Sequence, residues 1–371
     1  MSAERVGARS APGRRADRAS RGLGLWSWRT LAVVVLVLAV GAAAAVAATR
    51  EPTGPTGRAT PPAAPSEAAS PTAPPVAGTL SNGCALSPRG VPRCGGLLGA
   101  AFGSNTDPTA WERTLGRPLG VRRTYYTPGK VRQAIGDARA DTRAGRIPWI
   151  SFKLPYSWAG MADGRGDAWV SDLARQLATV DGPVWLAFHH EPENDGPIGD
   201  WTRMQQHLSP LVRRLAPNVA YTVILTGWNQ VYGPPWLSLD AVWPRGTAID
   251  LVGFDVYNDF GVERDGAVDD VATRMGPEYF THFQDFSKRF HVPWAVAETG
   301  ITDAYAARDP RWVRDTYREL LDHGGVALVY FNSELNSDAS WQLGGTKEQD
   351  FADALRSSPT LELAGRTAAP R

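Results

Sequence analysis

The sequence predicts an α/β chain whose main domain is a (β/α)8 barrel, and three observations predict it. From residue 95 onward, short apolar runs alternate with segments of helical period. Eight such runs fall within roughly 260 residues, the size of a closed barrel of parallel strands. No G-x-G-x-x-G turn follows the first run, where a doubly wound open sheet, the alternative, usually holds a nucleotide. A chain of 371 residues with 43% hydrophobic content can build a packed core.

Before the barrel, Arg5, Arg9, Arg14, Arg15, Arg18, Arg21 and Arg29 precede "LAVVVLVLAVGAAAAVAA" at 31–48, which carries no charge. At about 1.5 Å per residue this run makes roughly 27 Å, just short of the hydrocarbon thickness of a bilayer. The positive-inside bias leaves residues 1–30 in the cytoplasm and sends the rest across. The Ala-rich second half also offers A-x-A cleavage sites, so 31–48 reads either as a transmembrane helix or as the core of a signal peptide. A buried core helix would show a polar face, and this run has none. Either way the remainder is extracytoplasmic, membrane-anchored or secreted. Residues 49–80, rich in Pro, Thr, Ala and Ser, cannot bury enough surface to offset chain entropy and form a disordered linker to a domain over 81–360. Cys84 and Cys94 are the only cysteines, and an even pair in such a compartment is expected to form a disulfide, the alternative being two buried thiols. Two thiolates without neighbouring His fall short of a zinc site.

The strands read as "LLGAAFG" from 97, "VRRTYYTP" from 121, "IPWISFKLP" from 147, "PVWLAFHHE" from 183, "VAYTVILTG" from 219, "IDLVGFDVYN" from 249, "PWAVAETG" from 293 and "VALVYFNSE" from 326. Helical spacing follows the third (Trp169, Leu173, Leu177, Val180, with Asp167 near the start), the fourth (Trp201, Met204, Leu208, Leu211) and the seventh (Trp312, Leu320, Leu321, closed by Gly324 and Gly325). The fifth unit, "GWNQVYGPPWLSLDAVWPRG", reads mostly as loop.

In such barrels the C-terminal strand ends carry function. Those ends are "HHEPEND", "TGWNQ", "FDVYN", "AETG" and "YFNSE" for the fourth to eighth strands. Glu191 and Glu298 stand at the fourth and seventh, facing each other across the mouth, and a pair of carboxylates about 5 to 5.5 Å apart is the machinery of sugar transfer with retention. A lone acid at a strand end is more often a solvated carboxylate or helix cap; two at facing ends are harder to dismiss. A net charge of +1 gives no electrostatic case for nucleic acid.

Over residues 95–357 the chain resembles clan A glycoside hydrolases, and within them family 26. His190 and Glu191 match that family's His-Glu pair, Glu298 in "AVAETG" its nucleophile, and Tyr257 in "FDVYN" the sixth-strand Tyr that contacts it. The resemblance implies Glu191 as acid/base, Glu298 as nucleophile, no cofactor and no metal. The chain reads "LAFHHE" where the family's mannanases commonly read Arg-Pro-x-His-Glu, which leaves β-mannan, mixed-linkage β-glucan and β-xylan open as substrates. Glu193 competes with Glu191, since i and i+2 share a strand face, but Pro192 disturbs that geometry. His190 would orient a carboxylate or a sugar hydroxyl, or else be a histidine satisfied by a backbone carbonyl. Trp158, Trp228, Trp236, Trp243 and Trp341 fall in or near mouth loops, where indole rings stack on sugar faces; Trp228 is the first choice, with Asn229, Asp255 and Asn332 as hydroxyl ligands. The expected partner is a polysaccharide bound by a monomer. Two other classes stay open: a metal-dependent hydrolase using His189, His190 and nearby acids, and a non-catalytic sugar-binding barrel.

Overall fold

The computed structural model describes residues 78–264, 266–335 and 339–363. The expected cytoplasmic segment 1–30, the apolar run 31–48 and the linker as far as 77 lie outside the described residues, and so does any test of membrane anchorage by them. Among the described residues no helix is long and apolar enough to cross a membrane.

Each of the eight quoted runs contains one strand: Leu97–Phe102, Val121–Tyr126, Ile147–Phe152, Val184–Phe188, Val219–Leu225, Leu251–Asp255, Trp294–Thr299 and Ala327–Asn332. They pair in chain order into a closed parallel barrel, the eighth closing on the first from Ala327 against Leu97 to Asn332 against Phe102. The period-two alternation of a strand divides the core. Trp149, Trp185, Ala187, Ala220, Ile224, Ala295, Ala297 and Val329 fill the lumen. Their neighbours Ile150, Leu186, Phe188, Val223, Val296 and Leu328 pack outward against the helices. The predicted helices form as Asp167–Leu177, Ile198–Leu215 and Trp312–Asp322, burying the residues whose spacing announced them except Trp169 and Leu321, which are half-buried. Val180 is also buried, but beyond the end of its helix. The fifth unit has only the short helices Trp228–Tyr232 and Leu239–Val242 and the turn Pro235–Leu237, since the adjacent prolines 234 and 235 supply no N–H for a longer helix.

The strand starts are sealed from below. Leu80, Leu86 and Val91 pack on Leu97, Val121, Ile147, Leu251 and Val326. The Cys84–Cys94 disulfide closes this segment. Arg89 donates to the carbonyls of Arg213, Ala216 and Val219, satisfying the end of the helix that follows the fourth strand. Gly90 sits at φ +78°, and a Cβ there would lie 2.1 Å from Pro183. The linker ends earlier than its composition indicates: Gly78–Leu80 pairs antiparallel with Leu361–Leu363, taking the folded chain three residues past each expected boundary. One antiparallel ladder, with Leu80, Leu361 and Leu363 packed in the apolar cluster at the strand starts, outweighs local composition here.

Candidate active site

Two backbone irregularities deliver the two glutamates. The fourth strand stops at Phe188, and the turn beyond it places His189 at φ +50° and Glu191 at φ +49°, a left-handed conformation that costs about 1 kcal/mol or more in a residue with a side chain. Its neighbours hold it: His189 N–H donates to Phe152 O at 2.9 Å, Glu191 N–H to Ile224 O at 3.0 Å, and Trp201 Nε1 to His189 O at 3.0 Å. On the seventh strand, pairing with both adjacent strands shifts register between Val296 and Thr299. Ala295 and Ala297 face the lumen, so plain alternation would turn the next residue outward; the irregularity re-aims Glu298 into the mouth.

Glu298 is 7% exposed, and both its oxygens accept hydrogen bonds from hydroxyls, Oε1 from Tyr125 at 2.7 Å and Oε2 from Tyr257 at 2.9 Å. The Arg123 guanidinium lies 3.7 Å from Oε1. Arg123 is itself buried between the rings of Tyr125 and Trp149 and donates to Ser151 Oγ at 2.6 Å. Two hydroxyls and a guanidinium thus converge on this carboxyl group.

Glu191 is in the opposite condition. Burial first, then the charges of Glu298 and Glu193, push its carboxyl up to about 8. Glu193 is pushed up to about 7 by burial, but its Oε1 is occupied by the Thr226 N–H and Gln230 Nε2, which tie it to the end of the fifth strand. Of the two competitors, Glu193 has a structural task. Asp255, paired in register with Glu298, is 3% exposed and neither of its oxygens has a hydrogen-bond partner among the described residues. Burial and then the charge of Glu298 hold it well above the usual carboxylate range. His190 is pushed well below its ordinary value by burial and by Arg123, so it stays neutral, and its Nδ1 is also without a partner.

The other expected residues are scattered in role. Trp228 is half-buried, and Asn229 donates to Thr226 Oγ1 at 3.0 Å. Asn332 differs from expectation: its side-chain oxygen accepts from Leu343 N–H at 2.9 Å, so it shapes the last mouth loop with the atom a sugar hydroxyl would use as acceptor. Trp158 and Trp243 are core residues, and Trp341 is buried with its ring 4.9 Å from that of Tyr257, bracing the ring whose hydroxyl reaches Glu298. His189 turns aside to Asp195 Oδ2 at 2.9 Å. Among the described residues no three His, Cys, Asp or Glu side chains are gathered as a metal ion would require. Sequence reasoning passed over Arg123 and Tyr125. The signal was there: an arginine and a tyrosine two apart within a barrel strand share a face, and a charge on the lumen face of a buried strand needs a partner.

The sequence matches no family model and no curated protein. Similarity appears among solved structures. The cellulose synthase subunit Z of Clostridioides difficile aligns with a TM-score of 0.52 at 12% identity, covering 70% of this chain and 99% of that one. Thermotoga maritima Cel5A in complex with mannotriose aligns with a TM-score of 0.51 at 13% identity, over 71% and 97%. A fungal β-1,4-galactanase aligns with a TM-score of 0.52 at 14% identity, over 71% and 100%. These likenesses establish the fold, the (β/α)8 barrel on which the resemblance to clan A rests.

Proposed function

We propose that the protein is a retaining glycoside hydrolase of family 26 type that cleaves a β-linked polysaccharide outside the cytoplasm, with β-mannan first among the candidates. One observation carries the reading: two carboxyls at the mouth are held differently, Glu298 by two hydroxyls with an arginine 3.7 Å away, Glu191 with no such donors among the described residues and its carboxyl pushed up to about 8 by burial. The binding of mannotriose by the similar Thermotoga barrel supports a β-glycan substrate. The disulfide supports an oxidising compartment.

In the first step a Glu298 oxygen bonds to the anomeric carbon as the glycosidic C–O bond breaks, and the Glu191 proton passes to the departing oxygen. The developing negative charge moves from Glu298 to Glu191. In the second step Glu191 takes a proton from water, whose oxygen bonds to the anomeric carbon and releases Glu298. Arg123 and the tyrosines keep Glu298 in line throughout.

The test is a panel of mannan, mixed-linkage glucan and xylan, followed by NMR of the product anomer and by two variants. Glu298→Ala should lower turnover by several powers of ten, with partial rescue by azide. Glu191→Ala should spare glycosylation by an activated aryl glycoside far more than attack on polysaccharide. Inversion at the anomeric carbon sinks the mechanism, and an absence of new reducing ends on every substrate leaves a sugar-binding barrel instead.

A further inference from the structure

The second strand, Val121–Tyr126, pairs with the third as far as its last residue, Tyr126 against Phe152, but its pairing with the first strand ends at Ala101 against Arg123. Tyr125, two residues beyond that last pair, therefore has no strand partner for its main-chain N–H and carbonyl on the side of the first strand. A side chain takes the place of the missing strand. Asn105 accepts the Tyr125 N–H on Oδ1 at 3.0 Å and donates from Nδ2 to the Tyr125 carbonyl at 2.6 Å. One carboxamide thus serves both groups. At the far end of the same tyrosine, the hydroxyl donates to Glu298 Oε1 at 2.7 Å.

The amide is itself held in place. Asn105 stands at φ +62°, a left-handed conformation that asparagine tolerates better than most residues with a side chain. Arg122 Nη2 donates to the carbonyls of Asn105 and Thr106 at 2.7 and 3.1 Å. Arg122 is buried, and its Nη1 lies 3.1 Å from Asp141 Oδ1, so the loop is anchored from within the wall of the barrel. On the other flank Gly103 donates its N–H to Asn332 O at 3.0 Å and its carbonyl accepts from Ser333 Oγ at 3.0 Å, which ties the loop to the end of the eighth strand.

We infer that Asn105 is a positioning residue for the reaction: it sets where Tyr125 stands beyond the end of the strand pairing and, through the Tyr125 hydroxyl, how the Glu298 carboxyl is oriented. This rests on the reading of Glu298 as the nucleophile of a glycosidase. The residue type follows from the task. An ionised Asp offers only acceptors and would turn an oxygen toward the Tyr125 carbonyl, and Gln carries an extra methylene between the amide and the chain. A loop residue with no such task would be any that accepts left-handed backbone, glycine first of all.

Asn105→Gly isolates the amide, because the backbone keeps its turn while both hydrogen bonds to Tyr125 are lost. With the full-length protein on mannan, mixed-linkage glucan and xylan, this variant should lower kcat about tenfold, by no more than Tyr125→Phe does, and leave KM within about twofold. In the Tyr125→Phe background it should change kcat by less than about twofold, since the hydroxyl it aims is gone. Asn105→Asp, which keeps the acceptor and the chain length, should lower kcat in the same way. A loss of equal size in both backgrounds overturns the positioning role, and so does a rise in KM with kcat unchanged, which makes Asn105 a substrate contact. A signal independent of turnover separates this role from the glycosidase reading. In protein labelled with 13C at tyrosine Cζ, the resonance that Tyr125→Phe removes should move on Glu298→Gln, and should cease to respond to Glu298→Gln in the Asn105→Gly background. If that response is lost while the unaltered protein cleaves none of the polysaccharides, the link through Tyr125 stands and the glycosidase falls. If a polysaccharide is cleaved and the resonance responds to Glu298→Gln in both backgrounds, the positioning role alone falls.

Discussion

Tyr125 and Tyr257 each give a hydroxyl hydrogen to a different oxygen of Glu298, and that division fixes the plane of the carboxyl group. A hydrogen bond to a charged group contributes about 1.5 to 3 kcal/mol, so Tyr125→Phe and Tyr257→Phe should each lower kcat by roughly ten- to a hundredfold. Because both act on one carboxylate, a double-mutant cycle should give a combined loss that departs from the product of the single losses, and strict multiplicativity would argue against a shared target. The acid supplies the pH dependence. Glu191 must carry its proton to act, and its folded-state value is raised to about 8, so activity should persist through neutral pH and fall as pH rises through that value. A pH–rate profile whose alkaline limb falls near the ordinary carboxylate range would remove Glu191 from the acid's role. At this scale the sequence pointed to Glu191, Glu298, Tyr257 and Asp255, which follow or close strands four, six and seven. It concealed Arg123 and Tyr125 because their strand reads as surface-like, and their partner is 173 residues from Tyr125 along the chain. Asn332 also holds the loop backbone at Leu343, a task the sequence did not reveal because a strand-end amide serves a sugar and a loop backbone equally well.

At the scale of elements, the irregularities matter more than the regular strands. Alternation along the seventh strand explains how Ala295 and Ala297 enter the lumen, and only the register shift explains how Glu298 reaches the mouth. No residue pattern announces such a shift, which is why it was not legible. The loop character of the fifth unit was legible, because two adjacent prolines forbid a long helix whatever surrounds them. The sealed base yields a prediction. The Cys84–Cys94 bond closes a short loop whose neighbours Leu80, Leu86 and Val91 plug the barrel from below. Replacing both cysteines with Ala should lower unfolding stability by about 2 to 3 kcal/mol, seen as a shifted denaturant midpoint, while kcat in dilute denaturant-free buffer is retained because the base lies opposite the site. A loss of kcat without a loss of stability would contradict that separation.

For the molecule as a whole, eight strands in βα order and a closed parallel barrel could be read from periodicity, since the strands are buried on both faces and all but Val121–Tyr126 read as largely apolar runs. The outermost strand pair could not, because nothing local marks Gly78–Leu80 and Leu361–Leu363 as partners. The site also burdens the whole fold. Glu191, Glu193 and Asp255 all bind protons more tightly in the folded chain than in the unfolded one. For a carboxyl with a raised folded value, the folded state holds the extra proton, so stability is greatest below the unfolded value and declines as pH rises toward the folded one. Glu191→Gln should therefore raise stability near neutral pH by on the order of 1 to 3 kcal/mol and change it little below about pH 4, where the glutamate is protonated in both states. Thermal unfolding at the two conditions checks it; a gain of equal size at both would assign the effect to packing.

The pairing of Gly78–Leu80 with Leu361–Leu363 has a geometric consequence. Leu361 and Leu363 pack against the same cluster that plugs the strand starts, and Leu363 lies against the Gly182 corner just before the fourth strand. Both ends of the folded domain thus emerge side by side, one strand spacing of about 5 Å apart, on the face turned away from Glu191 and Glu298. Neither Gly78 nor Leu363 therefore stands on the face that carries Glu191 and Glu298, and that face is left to whatever approaches the mouth.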